Sequence, residues 1–195
     1  LTATYSNEPK YAVNLATDYY NYGLLLQTSE SLDVAFKFYE KSIAIEEQLV
    51  NRYPAISDYA VNLEVSYRTI AAELYLSGDQ TRTLEFYNKH AKLAAKIAEL
   101  FPNIPSLDYI QMNRFYSVGM VYILNGDYKK ASIHIDAFVR MQHPKEFSRS
   151  AIYYNAACLS SVASDVVSND GDLAGNDQKA LVDKYAGRAL EFLVE

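Results

Sequence analysis

The chain has no tryptophan, a single cysteine and few backbone breakers, with 7 Gly and 5 Pro in 195 residues. The lone cysteine, Cys158, excludes an intrachain disulfide, and the lack of a disulfide framework fits a reducing compartment. Few Gly and Pro beside 50% hydrophobic residues exclude a disordered or fibrous chain. Lys and Arg number 18 against 24 Asp and Glu, a formal charge of −6. That balance lacks the cationic surplus needed to neutralise phosphates, so it disfavours general nucleic-acid binding and adsorption to anionic membranes. No apolar run approaches the roughly 20 residues of a membrane helix.

Catalytic patterns are also missing. There is no Gly-rich phosphate loop, no His-Arg-Asp or Asp-Phe-Gly triplet, and no paired carboxylates or nucleophile with its base. The histidines His90, His134 and His143 are not spaced with another His or Cys as metal ligands, so they read as surface or helix-face residues. Cys158 lies in an apolar stretch and reads as a buried, inert thiol. Asp170 and Asp172 open an acidic stretch, "SNDGDLAGNDQ". A calcium loop begun at Asp170 would place oxygen ligands where Ala174 and Leu181 stand, so the stretch reads as a solvated insertion. The expectation is a protein without enzymatic activity, metal or cofactor.

What is abundant is tyrosine, 18 residues, and repetition. "YAVNL" stands at positions 11–15 and again at 59–63, 48 residues on. Tyr5, Tyr53 and Phe101 share that period, as do Tyr19, Tyr67 and Phe115, and Gly23, Ala71 and Gly119. Ala35, Thr83 and Ala131 follow it too, with Tyr39, Tyr87 and Ile135. A fixed period of this size marks a stacked-repeat architecture. Apolar spacing within each period predicts two helices and no strand. The expected helices are 11–27, 32–50, 57–76, 82–100, 107–124, 129–141, 145–166 and 179–193. Gly23 facing Ala35, and Gly119 facing Ala131, suit close helix crossings. "NRYP" and "ELFP" read as aromatic staples with a proline stop.

These residues resemble the tetratricopeptide repeat, with an aromatic, a small residue and a Tyr in the first helix, then Ala and an aromatic in the second. The third unit carries the pattern best, through Phe115, Val118-Gly119, Tyr122 and Ala131. The fourth is degenerate, with Tyr154, Ala157-Cys158, Ala186 and Leu190. The usual unit has about 34 residues; the extra residues here would lengthen each helix by roughly 10 Å. The long unit and "YYNAAC" are similar to repeats that follow the kinase domain in some bacterial serine/threonine protein kinases. The resemblance implies an all-α fold, a right-handed α-solenoid of about four stacked antiparallel helix hairpins. It implies one repeat domain over 1–195, with units near 5–52, 53–100, 101–144 and 145–195. The chain opens at Leu1 without a Met and ends in "RALEFLVE", an apolar periodic stretch with no Gly or Pro stop, so an excised piece of a larger protein is expected.

In such an array the first helices line a concave groove. The family register puts Thr17, Tyr20, Asn21, Leu24 and Gln27 there from the first unit. The second unit would contribute Val65, Arg68, Thr69, Ala72 and Tyr75. The third would contribute Asn113, Tyr116, Ser117, Met120 and Ile123, with Asn155 and Leu159 continuing the row. Tyr20, Arg68 and Tyr116 stand out, because Tyr and Arg dominate interface hot spots. The expected function is a protein–protein interaction or scaffold module that binds a peptide or partner protein, as the recruitment region of a signalling kinase. The alternatives are a self-association module, giving a homodimer, and a small-molecule sensor with a Tyr-lined groove. The expected compartment is the cytoplasm, or an extracytoplasmic one if the parent is a membrane-anchored kinase.

Overall fold

The structure, a computed structural model, describes residues 8–29, 32–140 and 149–194. Expectations placed on Tyr5, on the turn at positions 30–31 and on His143 lie outside the described residues. The described residues form eight α-helices and no strand, so the chain is all-α there. The helices are α1 Pro9–Ser29, α2 Leu32–Arg52, α3 Ser57–Leu76 and α4 Gln80–Leu100, then α5 Leu107–Leu124, α6 Tyr128–Arg140, α7 Arg149–Ser168 and α8 Gly175–Val194. None is long and apolar enough to cross a membrane.

Local chemistry sets the helix ends. Pro9 opens α1, where a missing N–H costs nothing and φ is already helical. After α3, Gly78 takes φ +80°, and the N–H of Asp79 reaches back to the Leu74 carbonyl. After α5, Gly126 takes φ +71°, and the Asp127 N–H reaches the Tyr122 carbonyl. Both turns therefore close in the left-handed conformation that favours glycine. The following aspartate then starts the next helix: Asp79 Oδ1 accepts the Arg82 N–H and Asp127 Oδ1 accepts the Lys130 N–H. "GD" thus ends one helix and begins another, twice, 48 residues apart.

The last helix departs furthest from the sequence expectation. α8 starts at Gly175, four residues before the expected Lys179, so half of "SNDGDLAGNDQ" is helical. The Gln178 side chain explains this early start. Its Nε2 donates to the carbonyls of Val167, Ser168 and Asp170, capping the end of α7 from the first turn of α8. Asp170 is held as well, accepting from Tyr128 Oη at 2.6 Å. The stretch is an anchored connection rather than a free insertion. In α8 the buried residues are Tyr185 and Phe192, while Ala186 and Leu190 are exposed, so the fourth unit's family register is displaced.

The chain divides into two compact units, Leu1–Leu107 and Asp108–Glu195. In the first, α1 packs on α2, α2 on α3 and α3 on α4. Its interior holds Phe36, Tyr39, Ile70, Leu74, Tyr87 and Ile97. Arg82 ties α4 to α2, meeting Asp33 at 3.1 Å with its guanidinium 4.4 Å above the Phe36 ring. Tyr53 packs edge-on against Tyr59, ring centroids 5.9 Å apart, as the staple reading expects. In the second unit α6 packs on α7 and α7 on α8, while Phe115 of α5 stacks on Phe138 of α6. Tyr185 donates from Oη to the Tyr128 carbonyl, and Arg188 is paired with Asp136, so α8 is fastened to α6.

The close crossings differ in detail from expectation. A Cβ on Gly23 would sit 2.5 Å from the Tyr39 ring, one turn beyond Ala35. A Cβ on Gly119 would sit 2.9 Å from Leu159 of α7, not against Ala131. Both glycines are needed for space, but the large side chains opposite them are what fill it.

Candidate functional site

Of the groove positions in the first unit, Tyr20, Leu24, Arg68, Thr69 and Tyr75 are half-buried and Asn21 is exposed. Gln27 is already engaged. Its Nε2 donates to Glu73 Oε2 at 2.6 Å, and its Oε1 accepts from Tyr39 Oη at 2.5 Å. This relay joins α2, α1 and α3, and Tyr20 lies beside it, 5.7 Å from the Tyr39 ring. Burial pushes the Tyr39 phenol up, helped by Tyr20 and Glu73, so Tyr39 stays a donor. Gln27 is therefore a fastening between helices, not a free recognition group.

In the second unit Asn113, Tyr116 and Asn155 are half-buried. Ser117 and Met120 are fully buried, as are Ile123 and Leu159, so none of these four can line an open groove. The stretch from Phe115 to Leu124 is apolar apart from Ser117 and Gly119, so its periodicity does not separate a buried side from an open one. Asn155 Nδ2 donates to the Ala151 carbonyl and approaches Met112 Sδ at 3.6 Å.

The described cavities of the first unit open elsewhere. One of about 350 Å³ lies among α2, α3 and α4. Its base is Val50, Leu63, Tyr67 and Leu93, and Lys89, Lys92 and Lys96 stand along one side. Those lysines follow at helical spacing, so α4 presents them on one face. Lys89 is paired with Glu85 at 2.8 Å, whereas Lys92 and Lys96 are exposed. A neighbouring cavity of about 290 Å³ is bounded by Phe36, Ile43, Glu47 and Phe86. No groove position named from the sequence lines either one.

A second cluster escaped sequence reasoning. His90 of α4 is fully buried, not a surface residue, and its Nε2 is hydrogen-bonded to Glu64 Oε1 of α3 at 2.6 Å. Arg68 Nε lies 4.0 Å from the same oxygen. Glu64 Oε2 and His90 Nδ1 are buried with no hydrogen-bond partner. The signal was in the period. The positions 48 residues earlier are Ala16 and Ser42, which also meet: Ser42 Oγ donates to the Ala16 carbonyl at 2.8 Å. The positions 48 residues later are Met112 and Phe138. One pair of seats thus holds a small pair in the first copy and an acid–imidazole pair in the second, and the sequence places an apolar pair at the same positions of the third.

Glu46 of α2 is the other buried acid. Its Oε1 accepts from Ser66 Oγ at 3.1 Å, and burial without a cation raises its pKa to about 7. Cys158 is half-buried rather than buried, with Tyr154 as a hydrogen-bonding neighbour. His134 Nε2 meets the Phe115 carbonyl at 2.8 Å, and burial lowers its pKa. No group of three or more His, Cys, Asp or Glu among the described residues could hold a metal ion. No family model, curated protein or solved structure matches the chain.

Proposed function

We propose that the chain is a tetratricopeptide-like scaffold, a right-handed solenoid of stacked helix hairpins, that binds a peptide segment of a partner protein. The repeated seats support the repeat reading, since Ala16–Ser42 and Glu64–His90 touch in successive copies. The duplicated Gly-Asp turns support it too. The observation that carries the binding reading is the open cavity among α2, α3 and α4. It has an apolar base and a lysine side on an otherwise acidic chain. A peptide that fits has an apolar side chain for Val50, Leu63 and Leu93 and carboxylates for Lys92 and Lys96. The row Tyr20, Asn21, Leu24, Arg68, Thr69 and Tyr75 of the first unit forms the second surface of the proposal, and Asn113, Tyr116 and Asn155 are candidates within the second unit by itself. In a kinase-like signalling protein the module would recruit substrates.

An array of acidic and neutral peptides, followed by fluorescence anisotropy on the binders, tests this. Lys92→Glu with Lys96→Glu is expected to weaken binding of acidic peptides at least about tenfold. If Tyr20→Ala or Arg68→Ala weakens it instead, the binding surface is the α1–α3 row. No binder in the array, or binders indifferent to all four changes, removes the proposal.

A further inference from the structure

The two cavities of the first unit adjoin as halves of one groove. Glu47 of α2 and Lys89 of α4 line both. One half holds Phe36 and Arg82, the other Val50 and Lys96. Early residues of α2 thus face early residues of α4 and late residues face late ones, so the two helices run in the same direction along its walls. From Phe36 to Val50 the groove follows α2 for roughly 21 Å, at 1.5 Å per residue. Its floor is continuous as well. The Phe36 and Phe86 rings meet edge-on at 5.8 Å and the Phe86 and Tyr67 rings at 5.9 Å, so one aromatic row underlies both halves.

The charges along the walls are of two kinds. Arg82 is held by Asp33 and Asp79, Lys89 by Glu85, and Glu47 by the Tyr67 hydroxyl, which donates to it at 2.5 Å. Glu40, Lys92 and Lys96 are exposed and have no side-chain partner among the described residues. Lys92 and Lys96 stand one turn apart on one face, where like charges disfavour a helix. The uncommitted charge is therefore sorted along the groove, an acid in the half with Phe36 and two cations in the half with Val50.

An occupant must also satisfy its own backbone. The helices that form the groove spend their N–H and C=O groups internally, so an extended strand would find no main-chain partner there. A helix arrives with its backbone already paired. Its dipole favours acids in the first turn and bases in the last. Carboxylates at its start meet Lys92 and Lys96 only if it runs opposite to α2 and α4. We propose that the groove takes one amphipathic helix of a partner protein, about four turns long and antiparallel to α2 and α4. Its apolar stripe lies on the aromatic row, its first turns carry carboxylates to Lys92 and Lys96, and its last turns carry a lysine or arginine to Glu40. The proposal rests on the peptide-binding reading above and adds the conformation and direction of the bound segment.

Fluorescence anisotropy with three alanine-based peptides of about 18 residues tests it. All carry leucines three and four residues apart. The first has Glu in its opening turns and Lys in its closing turns, and the second has the two exchanged. The third is the first with a central Pro, which breaks the helix. The first is expected to bind at least about tenfold tighter than either of the others. The first is also the better helix by itself, so the deciding variant is Glu40→Lys with Lys92→Glu and Lys96→Glu. It is expected to reverse the order and prefer the second peptide. All three side chains are exposed, and circular dichroism checks the fold. If the triple variant unfolds, Glu40→Lys alone replaces it and is expected to narrow the gap between the first two peptides at least about threefold. An order that does not reverse, or a gap that does not narrow, overturns the proposed direction. A proline peptide that binds as tightly as the first overturns the helix. If acidic peptides of the array bind but none of these three does, this proposal falls and the binding function stands; if the array yields no binder either, both fall.

Discussion

The pair α1–α2 and the pair α3–α4 have similar lengths and the same crossing seats, yet they solve the crossing with opposite chemistry. The first seats a methyl and a hydroxyl, Ala16 and Ser42, with a single bond to a backbone carbonyl. The second seats a carboxyl and an imidazole, Glu64 and His90, sealed from water. Where the first pair does bury an acid, at Glu46, the second pair has the fully buried Ala94, 48 residues on. Repetition therefore conserves the backbone frame and lets buried polarity move from seat to seat. The same frame can hold a small, an ionisable or an apolar pair, provided both members change together.

The largest expected effect separates the two pairs directly. His90→Ala leaves the buried Glu64 carboxyl without its hydrogen-bond partner, with Arg68 Nε 4.0 Å away, and is expected to cost about 3–5 kcal/mol. Ser42→Ala at the matching seat is expected to cost about 1 kcal/mol. Urea denaturation measures both, and equal costs would break the contrast. Copying the third pair of seats sharpens it: Glu64→Met with His90→Phe is expected to be neutral or to stabilise by roughly 1–4 kcal/mol.

Glu46 gives the next effect, through pH. Its folded pKa of about 7 lies above the ordinary 4.5, so the native state holds the proton more tightly than the unfolded chain. The stabilisation is complete below about pH 4.5 and is lost as pH rises through 7, by roughly 2–3 kcal/mol. Glu46→Gln is expected to remove that slope. Subtracting its stability curve from that of the unmodified protein cancels His134, whose lowered pKa slopes the other way. A difference curve that is flat from pH 4.5 to 7.5 would refute the assignment.

Two glycines give the smaller effects. Gly23→Ala drives a methyl into the Tyr39 ring and is expected to cost about 2 kcal/mol, although the second pair carries alanine at the same seat, Ala71. Thermal unfolding would show it, and an unchanged midpoint would mean the ring moves freely. Gly78→Ala meets no atom within 4 Å and is strained only in its backbone, so about 1 kcal/mol is expected.

Much of the fold was legible because its signals are local. α3 and α5 begin and end at the residues that apolar spacing indicates, between a clear turn on each side. α8 was read late because the residue that starts it acts at a distance, Gln178 capping the previous helix with its side chain. The candidate surface was less legible. Helical periodicity reports which residues share a face, not which face is open, and the second half of α5, from Phe115 to Leu124, is apolar almost all round. Ser117 and Met120 were misjudged for that reason. His90 looked solitary because its partner is 26 residues away on another helix. Only comparison of the copies, with Ala16 and Ser42 changing together to Glu64 and His90, points to it.

That joint change has a consequence for the order in which such a pair can arise by single substitutions. Starting from alanine and serine, a histidine can enter first, because an imidazole can be buried neutral. A glutamate entering first would place a carboxyl in the interior without that hydrogen bond, as His90→Ala does. Once both are present, the histidine cannot be lost first without passing through that destabilised intermediate, whereas the glutamate can. The Glu64–His90 contact therefore has one exit: the second copy can drift at its surface, but its histidine is held for as long as Glu64 stays.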